Sequence, residues 1–82
     1  MKTLFYFSAA WCAPCQMLGP VMDQVASMGI KVDKINVDYE TDRTVSANIS
    51  SVPTVVLAEN GVELRRFVGA KTLQQVLDFY NS

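Results

Sequence analysis

The sequence predicts an α/β fold in the order βαβαββα, a four-stranded mixed sheet with helices on both faces. Three features of the 82 residues carry that reading. Apolar runs of strand length alternate with stretches whose apolar residues recur at helical spacing. Asn60-Gly61 lies between two such runs, and both residues tolerate the positive φ of a tight hairpin turn. Thr72 and Gln75 make a capping-box pair ahead of an amphipathic stretch. This length supports one domain, residues 1–82. Half the residues are hydrophobic, which favours a packed core over disorder.

Thr3 to Ser8 is aromatic and apolar, and reads as a buried strand. Pro14 fits the first turn of a helix, where a missing N–H costs nothing. Met17, Leu18, Val21, Met22, Val25 and Met28 then recur at helical spacing, and Gly29 supplies the stop. Pro20 lies inside this helix and predicts a kink, because the Gln16 carbonyl loses its donor. Lys31 to Asp38 reads as the second strand, with Ile35 and Val37 on one face. Asp42 to Ile49 reads as a short helix, with Val45 and Ile49 a turn apart, and Ser50 to Pro53 as a loop. Thr54–Ala58 and Val62–Val68 are the hairpin strands, and Gly69 ends the second. Thr72 to Tyr80 closes the chain as a helix with Leu73, Val76, Leu77 and Tyr80 on one face. The first two strands, joined through a helix, should be parallel with a right-handed crossover.

Composition excludes several functions. The net charge is −1, and no basic cluster exceeds Arg65-Arg66, too little for a nucleic-acid footprint. No apolar run approaches the roughly 20 residues of a membrane-spanning helix. Lys2 and the apolar residues after it are too short a stretch for a signal peptide, so a cytoplasmic, reducing setting is expected. Histidine is absent, which removes Cys–His catalysis and Cys/His zinc sites. Two cysteines alone cannot complete a four-cysteine metal cage, so no metal and no prosthetic group is expected.

What remains is the dithiol of Cys12 and Cys15. The thiolate is the reactive form of cysteine. Cys12 falls between a strand and a helix, where free N–H groups and the helix dipole favour a thiolate and lower the thiol pKa. Cys15 lies about one turn further on, close enough to close a disulfide with little backbone movement. Cys12 is thus the candidate nucleophile for a target disulfide, and Cys15 the thiol that resolves the mixed disulfide. The bland alternatives are two inert core cysteines or half of a metal site shared with another molecule.

These residues resemble the thioredoxin family. Trp11-Cys12-Ala13-Pro14-Cys15 is similar to its active-site motif, with Ala13 where glycine is usual. Gln16-Met17-Leu18-Gly19-Pro20 resembles the segment with its kink proline, and Lys34 to Asp38 its central strand. Val52-Pro53-Thr54 resembles its cis-proline loop, and Val68-Gly69-Ala70 the glycine near its active site. Five motifs in the right order cover nearly the whole chain. The resemblance implies a minimal thioredoxin fold and a protein-disulfide reductase, an electron carrier whose only redox group is the Cys12–Cys15 disulfide. It implies that Val52 and Pro53 lie beside Cys12 and offer backbone to an extended substrate. It also implies that Trp11 is an exposed flank, that Ala13 and Pro14 shape the site, and that Gly69 leaves room for substrate. The bland readings are a core Trp11, a trans Pro53 and a Gly69 that only ends its strand. Implied partners are protein disulfides, ribonucleotide reductase among them, and a flavoprotein thioredoxin reductase as electron donor; the chain is expected to act as a monomer.

Two departures stand out. The family's N-terminal strand and helix do not precede Thr3, so Lys31–Asp38 is expected at a sheet edge, where its charges discourage aggregation. The family's buried Asp, six residues before the first cysteine, is Tyr6 here. Lys34, with or without the Tyr6 hydroxyl, is therefore the candidate for tuning the site, unless Lys34 merely snorkels from its strand. Gly69-Ala70-Lys71-Thr72 lacks the second glycine and the acid that glutaredoxins use for glutathione, which disfavours that rival. A third possibility is a binding subunit of a larger enzyme that docks through Trp11, Val52 and Ala70 without using its thiols.

Overall fold

The computed structural model describes residues 1–82, in the element order β1 (Lys2–Ser8), α1 (Ala13–Ser27), β2 (Val32–Asn36), α2 (Thr41–Ser46), β3 (Thr54–Glu59), β4 (Val62–Val68) and α3 (Leu73–Asn81). The four strands form one sheet in the order β2-β1-β3-β4. β1 pairs parallel with β2 and antiparallel with β3, and β3 pairs antiparallel with β4. β2 is therefore an edge of this sheet, as expected for Lys31–Asp38.

Strand alternation sorts the side chains onto two faces. Leu4 and Tyr6 of β1, Val55 and Leu57 of β3 and Phe67 of β4 join Leu18, Met22, Val25 and Val76 in the main core. This cluster lies between the sheet and helices α1 and α3. Phe7, Ile35 and Val56 face the other way, with Phe5, Ala47 and Ile49 packed against them. Fully burying a Leu, Met or Val side chain contributes roughly 1.5–3 kcal/mol each, so the larger cluster dominates the fold.

Two local expectations are corrected. Of the apolar stripe on α1, Leu18, Met22 and Val25 are buried together with Cys15, but Met17 is 71 % exposed and Met28 56 %. Positions 15, 18, 22 and 25 already form the stripe that one sheet face can cover, and Met17 lies off it. The second correction concerns α2, which spans only Thr41–Ser46, buries no residue and leaves Val45 72 % exposed. The apolar cover on that face comes from Ala47 and Ile49, just beyond the helix. Arg66 of β4 reaches the carbonyls of Ala47 and Asn48 and fixes this segment over the sheet.

Helix α1 runs through Pro20. Thr72 and Gln75 form both hydrogen bonds of the capping box on α3. In the hairpin, Asn60 and Gly61 both take positive φ, 52° and 84°, a conformation these residues adopt at little cost.

Leu18→Ala is expected to cost about 2–5 kcal/mol, whereas Met17→Ala is expected to stay within about 0.5 kcal/mol. Paired thermal melts test this. Equal costs would mean that α1 presents a different face to the sheet.

Candidate active site

β1 ends at Ser8, and the chain turns through Ala9, Ala10 and Trp11 into α1. The Cys12 amide donates to the Ala9 carbonyl at 3.2 Å, and Gln16 Nε2 donates to the Ala10 carbonyl at 3.3 Å. Cys12 is the N-cap of α1, with extended backbone, and its Sγ accepts from the Cys15 N–H at 3.2 Å. Ala13 and Pro14 occupy the first helical positions, where Pro14 sacrifices no helical hydrogen bond. The Cys12 and Cys15 sulfurs are joined as a disulfide, with their Cα atoms 5.2 Å apart. Both residues are nearly buried and cluster with Ala9, with Val37 and Val52 at the rim.

Three other segments converge here. The Val52–Pro53 peptide is cis, and the Val52 carbonyl oxygen lies 3.6 Å from Cys12 Sγ. The Gly69 amide donates to the Pro53 carbonyl at 2.9 Å, tying the end of β4 to the same loop. Gly69 has φ +96°, and a Cβ there would meet no atom within 4 Å. Backbone conformation thus demands glycine here, while the space in front of it is open. Trp11 is 70 % exposed, so it is a flank of the site and not core. Its indole N–H donates to Asp38 Oδ2 at 2.9 Å.

Trp11, Val37, Ile49 and Val52 line a groove of about 180 Å³ beside the disulfide. A larger concavity, about 300 Å³, lies on the α2 face among Phe5, Phe7, Ile35 and Val56, and none of the site residues lines it. No group of three or more His, Cys, Asp or Glu is placed to hold a metal ion.

Tyr6 and Lys34 are register partners on β1 and β2 and share a sheet face. The structure nonetheless sends them to different places. Tyr6 is buried, and its hydroxyl donates to the Cys15 carbonyl at 2.9 Å. Lys34 is half exposed and is engaged by the carboxylate of Asp23 on α1. Burial pushes the Tyr6 phenol above the ordinary tyrosine range, against smaller opposing effects of the Ser8 hydroxyl and the Lys34 charge.

Sequence reasoning missed Asp38 and Asp23 as partners. Asp38 was legible in principle. Parallel pairing sets Asn36 beside Ser8, and so brings the residues after β2 alongside the turn to Trp11. Asn36 Oδ1 accepts from the Asp38 amide and fixes that turn.

A mixed α/β sheet with a Cys-x-x-Cys disulfide capping the helix after its first strand defines a thiol–disulfide oxidoreductase of dithiol–disulfide exchange type. The Thioredoxin family model matches residues 1–82. The chain is 38 % identical over 78 residues to the thioredoxin of Mycoplasma genitalium, covering 93 % of this chain and 76 % of that protein. It is 36 % identical over 81 residues to the thioredoxin of Haemophilus influenzae, covering 95 % and 76 %. A mutant thioredoxin from Halobacterium salinarum superposes with a TM-score of 0.91 at 33 % identity, covering 98 % of this chain and 72 % of that one. The chain belongs to the thioredoxin family. Membership implies protein disulfides as substrates and a reductase as electron donor.

A phenol whose pKa is raised on folding binds its proton more tightly in the native state. Its contribution is complete below the unfolded value of about 10 and is lost as pH rises through the folded value. Stability measured by denaturant titration is therefore expected to fall with rising pH above about 10, and Tyr6→Phe to flatten that fall. An unchanged slope in the variant would show that Tyr6 is not the group responsible.

Proposed function

We propose that this chain works as a reductant of protein disulfides, with Cys12 as nucleophile and Cys15 as resolving thiol. The observation that carries the reading is Cys12 at the N-cap of α1, its Sγ on the Cys15 N–H. In the dithiol state that N–H and the positive end of the helix stabilise a Cys12 thiolate. The thiolate attacks one sulfur of the target disulfide. A Cys12–target bond forms, and the second target sulfur leaves as a thiolate. Cys15 then loses its proton and attacks Cys12 Sγ. The Cys12–Cys15 bond forms, and the first target sulfur departs. Two electrons and two protons pass to the target in all.

Val52 supports a substrate-positioning role. Its main-chain N–H and C=O have no backbone partner within the chain, and its carbonyl sits next to Cys12 Sγ. An extended target segment can pair there as an added strand. Pro53 offers no N–H that could compete for the sulfur. Gly69 leaves the opposite wall of the site open, and Trp11 supplies an exposed aromatic flank held by Asp38. Ala13 and Pro14 keep the stretch between the cysteines small and prearranged. The chain acts in this reading as a cytoplasmic monomer fed by a thioredoxin reductase, and ribonucleotide reductase is among its targets. Its thioredoxin-type Trp11–Cys15 motif supports that setting.

The test is reduction of insulin disulfides by dithiothreitol. The native chain is expected to accelerate it, Cys12→Ser to abolish the acceleration, and Cys15→Ser to stop after one attack with the target held as a mixed disulfide detectable by mass spectrometry. No acceleration by the native chain would remove the reductase reading.

A further inference from the structure

We propose that Tyr6 is a positioning residue for the resolving step, holding Cys15 in place through the hydrogen bond from its hydroxyl to the Cys15 carbonyl. This inference rests on the assignment of Cys15 as the resolving thiol. The peptide units flanking Cys15 are gripped from two sides. On the helix side, its N–H donates to Cys12 Sγ at 3.2 Å. On the sheet side, its carbonyl accepts from Tyr6 Oη at 2.9 Å. Tyr6 itself cannot drift, because β1 is paired on both edges and the ring is buried in the main core.

The local helix explains why such a tether matters. Pro20 leaves the Gln16 carbonyl without its usual i+4 donor, so the turn carrying the cysteines is coupled less tightly to the rest of α1. The carbonyl one residue earlier, that of Cys15, accepts from the phenol. The tether thus acts next to the point where helical hydrogen bonding is interrupted, and links the second cysteine to the strand beneath it.

The chemistry separates this role from that of a base. The phenol gives its one proton to the Cys15 carbonyl, and no hydrogen bond joins its oxygen to the Cys15 sulfur. The charged groups facing it are Lys34 from β2 and Asp23 from α1, and these are paired with each other. In the resolving step, the Cys15 proton therefore passes to the departing target thiolate. The S–H bond of Cys15 breaks, the Cys12–Cys15 bond forms, the Cys12–target bond breaks, and the target leaves as a thiol, which ionises in neutral buffer when it is an acidic aromatic thiol. Tyr6 holds the attacking sulfur in line and takes no part in the proton balance.

The test uses the reduced chain and an aromatic disulfide that releases one coloured thiolate on attack by Cys12 and a second on resolution by Cys15. Stopped-flow absorbance then reads two phases. Loss of a buried hydrogen bond worth about 1–1.5 kcal/mol slows the step it serves by roughly tenfold. Tyr6→Phe keeps the ring, and is expected to lower the ratio of the second rate to the first on the order of tenfold. An unchanged ratio, or equal slowing of both phases, would overturn the proposal. No first release from the native chain would instead sink the reductase assignment. Should Tyr6→Phe not fold, the native chain still decides the matter. The Tyr6 hydroxyl proton is expected to be protected from solvent exchange by NMR in the reduced state, and exchange at the free-solvent rate would contradict the tether.

Discussion

The hydrogen bond from the Cys15 amide to Cys12 Sγ is the interaction on which the rest of the site depends. It makes a sulfur the cap of a helix. The opening N–H groups of a helix have no partners of their own and carry partial positive charge. A side chain placed there as an anion is stabilised without any cationic residue nearby. The cap position exists because β1 ends at Ser8 and the turn through Ala9 to Trp11 delivers Cys12 with extended backbone. It stays put because β1 is a central strand and because Leu18, Met22 and Val25 press α1 onto the sheet.

The surroundings follow from topology. Parallel β1 and β2 finish on the same side of the sheet, and the antiparallel hairpin returns the start of β3 and the end of β4 to that side. Asp38, Pro53 and Gly69 come from three separate chain segments, yet each meets the Cys12 turn or its neighbouring loop through one directed hydrogen bond or contact. Loops at strand ends carried by a rigid sheet are where binding and catalytic groups commonly gather. Here the sheet sets their spacing, and the loops need little order of their own.

Much of this was legible in the sequence. The apolar runs Thr3–Ser8 and Thr54–Ala58 marked two buried strands, though not which of their residues face which helix. Asn60-Gly61 and Thr72-Gln75 marked the hairpin and the last helix because each encodes a local hydrogen-bond geometry. The dithiol could be read from spacing and position. The apolar residues that turned outward, Met17, Met28 and Val45, were not legible, since periodicity shows a stripe but not how much of it one sheet face covers. The separate fates of Tyr6 and Lys34 were equally hidden. Register places them side by side, but only the position of Asp23 on α1 decides that the ammonium goes outward while the phenol goes to Cys15. Such pairings depend on the relative placement of helix and strand, which no short motif encodes.

The most direct measurement of the central claim is the titration of Cys12 in the fully reduced chain, followed by thiolate absorbance in the ultraviolet and by the pH dependence of alkylation. The account expects Cys12 to titrate below the ordinary thiol value of about 8.5, with alkylation at neutral pH confined to Cys12. A Cys12 that titrates at or above that value, or alkylation that falls equally on Cys15, would contradict it.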